Sequence, residues 1–263
     1  MKKSYQTKVA VLLLGIMATL FSCSGKGQKL KLESGVELGA VSVPDNNFCI
    51  AKTEVTQEFY EAVMGENPSQ AKGAKLPVES VSWYDSLVFC NKLSLLLGKT
   101  PCYKVKGSTN PADWGYTPHQ GTIIDGEIEF DAAADGFRIP TMEEWDIAIK
   151  GGENYTYSGS DDLDSVAWTD CNSGGKLHEV AQLKPNAFGI YDMSGNVWEW
   201  CQDMYTNYDG KPKTDPIATS DAGTFRVNRG GSWDYISDSA RSANRRNRTP
   251  DFRNFNIGFR LAE

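Results

Sequence analysis

The sequence predicts an α+β domain with regular elements in its N-terminal half and a long, loop-rich C-terminal half. Three observations predict it. Apolar residues recur at helical spacing behind Thr56, Ser82 and Thr141. An Asp-Gly turn separates short apolar runs near residue 125. From residue 151 onward, Gly, Asn, Asp and Trp dominate. Apolar content of 40% and aromatic content of 11% suit a packed globular chain rather than a disordered one.

The elements follow in order. Phe48 to Ala51 is a short apolar strand. Thr56 caps a helix whose Phe59, Tyr60, Val63 and Met64 form one face, and Gly65 and Pro68 stop it. Ser82 caps a second helix, with Leu87, Val88, Cys90, Leu93 and Leu97 inward and Gly98 at its end. In the span 103–137, Ile123-Ile124 and Ile128-Glu129-Phe130 flank Asp125-Gly126 and read as a hairpin. Thr141, behind Pro140, caps a third short helix, with Glu144 on its first turn and Trp145 on its buried face.

The N-terminus reads as a targeting segment. Lys2 and Lys3 precede an apolar run from Val9 to Phe21, shorter than the roughly 20 residues of a comfortable bilayer span. Leu20-Phe21-Ser22-Cys23 resembles a bacterial lipobox. That resemblance makes residues 1–22 a signal peptide, Cys23 the lipidated residue, residues 23–34 a flexible tether and residues 35–263 the globular domain. The expected location is the outer membrane or cell surface, held through the lipid. A net charge of −7 argues against nucleic acid as the main partner. Beyond Cys23, five cysteines remain: Cys49, Cys90, Cys102, Cys171 and Cys201. Five is odd, so at least one is unpaired within the chain. Cys90 and Cys102 either pair or sit as buried thiols. No zinc spacing occurs. The two histidines, His119 and His178, each stand alone in polar stretches and read as surface residues.

Further along, the string Asn186-Ala187-Phe188-Gly189-Ile190-Tyr191-Asp192-Met193-Ser194-Gly195-Asn196-Val197-Trp198-Glu199-Trp200 is highly specific, as are Arg229-Gly230-Gly231-Ser232-Trp233 and Gly258-Phe259-Arg260. Earlier pieces agree: Glu54-Val55-Thr56, Val81-Ser82-Trp83, Cys90-Asn91-Lys92-Leu93, and Arg138-Ile139-Pro140-Thr141 with Glu144-Trp145. Together they resemble the sulfatase-modifying-factor family of formylglycine-generating enzymes. The resemblance implies a C-type-lectin-like fold with a small twisted sheet, two helices and extensive loops. The glycines permit backbone shapes that a side chain forbids, and Trp198, Trp200 and Trp233 supply packing area that holds loops together. Asn196 and Glu199 offer hard oxygen ligands, and in relatives of this fold the corresponding segment binds a structural calcium. The alternative is that Asn196 caps a turn and Glu199 pairs with an arginine. One segment offers few of the roughly 6–8 oxygens calcium needs. No cofactor is required by either reading.

The enzymes of this family oxidise a cysteine with two cysteines of their own, which bind copper and react as thiolates, a chemistry closed to hydroxyls at neutral pH. The string that matches their second cysteine is Arg241-Ser242-Ala243-Asn244-Arg245, and the matching positions hold Ser237 and Ser242. No cysteine follows Cys201. A second branch uses a histidine-ligated iron, which two isolated histidines do not supply. The sequence therefore predicts a domain that is not an enzyme.

Residues 234–257 read DYISDSARSANRRNRTPDFRNFNI and contain no Lys, Glu, Gln, Met or Trp. Nearly all the residues present arise when the adenines of an asparagine codon ending in a pyrimidine are randomised, and the five missing ones do not. This pattern resembles that of the variable lipoproteins diversified by retroelements, which use this fold and place the variable segment at the C-terminus. A fixed-sequence structural or assembly lipoprotein of the envelope is the alternative. On the first reading, Asp234, Tyr235, Ile236, Asp238, Arg246, Asn247, Arg248, Thr249, Phe252, Asn254 and Phe255, within a variable region of about 234–256, lie mostly exposed on one surface. Trp233, Arg241, Ala243, Arg245, Gly258 and Phe259 are buried or paired beneath them. Arginine and aromatic side chains make strong contacts at such a surface. Residues 225–263 carry eight arginines against four acids, a local charge of +4 in an acidic chain. The partner is a protein, peptide or glycan, and the protein is expected to be a monomer.

Overall fold

The computed structural model describes residues 28–205 and 225–263. Cys23 and residues 1–22, expected to be a signal peptide, lie outside the described residues. Among the described residues, no helix is long and apolar enough to cross a membrane.

The chain opens with strands β1 (Gln28–Lys31), β2 (Glu37–Ser42) and β3 (Cys49–Ala51), which form an antiparallel sheet in that order. The first strand corrects the expectation of a tether over 23–34. Lys29-Leu30-Lys31-Leu32 alternates charged with apolar residues, and Leu30 and Leu32 are both buried. Helix α1 (Gln57–Met64) begins at Thr56, whose hydroxyl accepts from the Phe59 N–H, and ends at Gly65 in the left-handed region. Helix α2 (Trp83–Leu96) begins with a reciprocal capping box between Ser82 and Asp85. It is buried on most of its circumference and forms the centre of the larger apolar core, with Phe59, Tyr60 and Phe259 stacked around Phe89. Cys90 and Cys102 are free thiols in this core, as is Cys201 beneath α3, whereas Cys171 is free and exposed.

Strand β4 (Tyr103–Val105) pairs antiparallel with β5 (Ile128–Phe130). This corrects the hairpin placed at Asp125-Gly126. Ile123-Ile124 forms no strand; Ile123 is exposed, and Ile124 is buried among the aromatic residues of the core. The partner of β5 lies more than twenty residues back, at Tyr103 and Val105, which are fully buried. Helix α3 (Met142–Lys150) carries the second capping box, Thr141 with Glu144, and ends at Gly151 in the left-handed region. Glu144 also forms a fork with Arg138, at 2.5 and 2.6 Å.

The C-terminal half is mostly loops held by short strands. Strands β6 (Ala167–Trp168) and β7 (Ser194–Gly195) pair in parallel. Gly195 has φ +83°, and a Cβ there would meet the Trp168 carbonyl oxygen at 2.2 Å, so no side chain fits. Strands β8 (Trp198–Met204), β9 (Arg226–Arg229), β10 (Arg245–Arg248) and β11 (Ile257–Gly258) form the second main sheet, in the order β10-β9-β8-β11. The last pairing is parallel. Beyond β11 the chain runs between β3 and Arg138. Glu263 exchanges backbone hydrogen bonds with Cys49, and Ala262 does so with Arg138.

Candidate ligand-binding face

The segment after Trp233 is suspended between fixed points. Gly231, at φ +81°, lets the chain pass 2.9–3.0 Å (measured to an added Cβ) from Ala240 and Ser239, closing the loop on itself. The turn 249–254 is held by Arg253. Its Nε donates to Asp85 Oδ2 at 2.7 Å, and its Nη2 donates to Tyr116 Oη at 2.6 Å and to the Gly121 carbonyl at 2.9 Å. Asp85 is fully buried. Burial alone would raise its pKa, but the Arg253 hydrogen bond and the N–H groups of Ser82 and His119 outweigh it and hold the carboxyl below its ordinary value. His119 is correspondingly drawn in. It is half-buried, with Nε2 3.2 Å from the Tyr60 hydroxyl, and burial lowers its pKa. His178 is also half-buried, stacked on Trp168 at 3.8 Å. Both histidines thus depart from the surface reading, because each lies against an aromatic ring that the local sequence does not reveal.

Between these fixed points the eleven predicted face residues are not mostly exposed, contrary to the expectation from the sequence, although none of them is buried. Ile236, Asp238 and Phe255 are exposed, and the other eight are half-buried. The half-burial comes from their contacts with one another and with the frame. The Arg246 guanidinium lies over Tyr235 at 4.4 Å and over Trp198 at 5.4 Å, and Arg248 lies over Phe252 at 5.1 Å. Asp234 accepts from Asn256 at 3.0 Å, and Phe255 packs on Trp233 at 5.6 Å. Thr249 accepts the Phe252 N–H, Asn254 accepts the Ser80 N–H, and Asn247 accepts from Arg248 through its carbonyl. Ile236 and Asp238 stand apart, at a short 3-10 turn over Ser237–Ala240.

The supporting residues divide differently from expectation. Gly258 and Phe259 are buried, and Arg245 lies over the Tyr205 ring at 4.8 Å. Trp233 is half-buried beneath Phe255, whereas Arg241 and Ala243 are exposed, contrary to the buried or paired placement predicted for them. The turn 241–244, just before β10, leaves Arg241 and Ala243 exposed and Ser242 and Asn244 half-buried. Sequence reasoning missed Arg253, the strongest tie in the segment. It also missed Asn228 and Trp198, which form the floor beneath Arg246, Arg248 and Phe252. Asn228 is 1% exposed, and neither atom of its amide group has a hydrogen-bond partner.

The calcium reading of Asn196 and Glu199 is corrected as well. Glu199 forms a fork with Arg260, at 2.6 Å on each oxygen, and accepts from Trp145 Nε1 at 2.9 Å. The Asn196 side-chain oxygen accepts the His178 N–H, and its amide donates to Glu54. Among the described residues no cluster of His, Cys, Asp or Glu suits a metal ion. This donor set does not fit calcium, since arginine, indole and backbone donors occupy its oxygens. Burial and the nearby Asp192 and Glu199 charges push the Glu54 carboxyl well above its ordinary range, and burial raises Asp192 to about 6. One arginine thus faces three buried carboxylates, and burial together with their mutual repulsion raises the pKa values of Glu54 and Asp192.

The fold and this face define a loop-rich, C-type-lectin-like α+β domain of the formylglycine-generating-enzyme type. The sulfatase-modifying factor enzyme 1-like domain model matches residues 30–263, and the chain belongs to that family. Among solved structures, the chain is similar to Treponema denticola variable protein 1, with 36% identity and a TM-score of 0.79 over 90% of this chain and 98% of that one. It is also similar to the chaperone protein LppX of Paenibacillus barcinonensis, 35% identical over 84% of this chain and 86% of the relative. The formylglycine-generating enzyme of Streptomyces coelicolor is 35% identical over 48% of this chain and 46% of its own, so the family includes enzymes.

Because Arg253 neutralises a fully buried carboxylate, Arg253→Ala is expected to cost about 3 kcal/mol by chemical denaturation at neutral pH. Arg246→Ala should cost less than about 1 kcal/mol. Asp85 has a lowered folded-state pKa, so its contribution is present above its ordinary value of 3.8 and fades as pH falls through the folded value. The gap between wild type and Arg253→Ala should therefore narrow below about pH 4.

Proposed function

We propose that this protein is a lipid-anchored envelope protein that binds ligands through a C-terminal face diversified by a retroelement, and that it is not an enzyme. The observation that carries this reading is the placement of the eleven residues. A segment meant to vary keeps changeable side chains out of the core, where a wrong residue costs about 2–5 kcal/mol, and puts them where a change stays within about 0.5 kcal/mol. None of the eleven is buried, and the segment is held by Arg253, Gly231 and Gly258, outside that set. The similarity to a Treponema denticola protein whose name is variable protein 1 supports the same reading.

A second reading is favoured by the likeness to a protein named as the chaperone LppX, namely a fixed-sequence assembly lipoprotein. The genomic neighbourhood separates the two. A second, adenine-rich copy of the last coding segment beside a reverse transcriptase supports the first, and its absence supports the second. The ligand is a protein, peptide or glycan, the protein acts as a monomer, and its acidic charge disfavours nucleic acid.

Replacing Ile236, Arg246, Asn247 and Phe255 together should leave the melting temperature within a few degrees of wild type. The same variant should change the profile bound on a peptide and glycan array. An unfolded variant, or an unchanged profile, defeats the display reading. The absence of catalysis rests on Ser237 and Ser242. Ser237 is half-buried on its 3-10 turn, and the Ser242 hydroxyl is buried without a partner. Mass spectrometry of a sulfatase-type cysteine peptide incubated with the protein, copper and oxygen should show no formylglycine; turnover would refute the non-enzyme reading. The anchor rests on Cys23. Cys23→Ala should abolish incorporation of labelled palmitate and release the protein from membranes, and equal retention of the variant would argue against a lipid anchor.

A further inference from the structure

A cavity of about 510 Å³ opens beside the face, between α3, the 154–156 loop and the start of β10. None of the eleven face residues lines the cavity itself, but Arg246, Asn247 and Arg248 of the adjoining β10 belong to that set, so the inference rests in part on the display face. Its walls carry Lys150, Arg229, Arg241 and Arg245 against a single carboxylate, Asp146. Arg229 already forms an ion pair with that carboxylate, so the lining keeps a net positive charge. Arg241 is exposed, and its side chain has no partner among the described residues.

Two buried polar groups in the cavity wall lack partners. The Arg229 side chain is 3% exposed and packs over the Trp145 ring at 4.6 Å, yet its Nε has no hydrogen-bond partner. Its terminal nitrogens donate to the carbonyls of Asn244 and Ser242. The buried Ser242 hydroxyl is likewise unpartnered. Orphaned buried donors are costly, and both of these belong to residues of the cavity wall. Burial, followed by repulsion from Arg245, lowers the Arg229 pKa to about 9, and an anion in the cavity would offset the repulsion.

The walls suit a peptide better than a bare anion. Tyr155, Met142 and Ala243 add apolar and aromatic surface beside the cations. Strand β10 begins at Arg245, on the cavity wall, and among the described residues it is the edge of its sheet, paired only with β9. An extended peptide adds to such an edge through main-chain hydrogen bonds while its side chains enter neighbouring pockets. A glycan has no such backbone. The strand reads Arg-Arg-Asn-Arg, which repels a second copy of itself and attracts acidic residues. We propose that this cavity and the β10 edge bind an extended acidic peptide, with a carboxylate side chain seated among Arg241, Arg245 and Lys150. The planar guanidinium forks match a carboxylate in two-point geometry.

The test uses the full chain and a fluorescent hexapeptide alternating Glu with Val, compared with its Gln counterpart and with a sulfated oligosaccharide, by fluorescence anisotropy. The Glu peptide should bind at least tenfold more tightly than the Gln peptide, and the difference should shrink as salt rises. The double variant Lys150→Ala, Arg241→Ala replaces two exposed side chains, so it should fold with an unchanged melting temperature and weaken Glu-peptide binding at least tenfold. Lys176→Ala, an exposed cation that does not line the cavity, should leave affinity unchanged. Equal binding of the Glu and Gln peptides overturns the proposal, as does an equal loss in Lys176→Ala, which would mean general charge attraction. Binding of the sulfated oligosaccharide alone would make the site one for glycans and would also overturn it.

Discussion

The fork between Arg260 and Glu199 is the interaction on which the rest of the architecture depends. Both side chains are fully buried. Arg260 also donates to the carbonyls of Ala51 and Tyr191, and Glu199 accepts from Trp145. Four segments distant in sequence, β3, α3, the 186–200 stretch and the C-terminal strand, thus meet at one ion pair. Breaking such a pair from one side leaves an uncompensated charge in a low-dielectric interior, at about 3–5 kcal/mol. Loops with little regular structure hold their shape here because their ends converge on this point.

A second ion pair, Arg253 with Asp85, does for the C-terminal loop what the first does for the core. It ties the loop to the N-terminus of α2, where Asp85 already serves as half of a capping box. One carboxylate therefore starts a helix and anchors a turn. The outward residues between these ties interact by stacking of guanidinium on aromatic rings, which is weak enough to change and ordered enough to present a surface. Rigidity and tolerance are thereby separated along a single stretch of chain.

Much of this was legible in the sequence. Thr56, Ser82 and Thr141 each proved to be an N-cap, because a hydroxyl before an apolar-periodic run has one dominant use. The Asn186–Trp200 and Arg229–Trp233 strings carried the fold class. What escaped was long-range pairing. The turn at Asp125-Gly126 is a local signal, but β5 found its partner at Tyr103, and nothing local encodes that choice. Arg253 was indistinguishable from the other arginines of its segment, since its role comes from Asp85, far back in the chain. Asn196 and Glu199 had the right chemistry for calcium, but the neighbours that use their oxygens, Arg260, Trp145 and His178, come from elsewhere. Arg241 and Ala243 were assigned inward by motif alone, whereas the turn before β10 leaves both exposed.

The last strand closes the fold. Residues 257–263 pair with β8, with Cys49 of β3 and with Arg138, and they carry Arg260. The stretch proposed to vary therefore lies upstream of the segment that completes the core. During synthesis the domain cannot lock until the ribosome has read through that stretch. A stop codon or frameshift within it removes the closing strand and the central arginine together, leaving a chain that stays open to proteases.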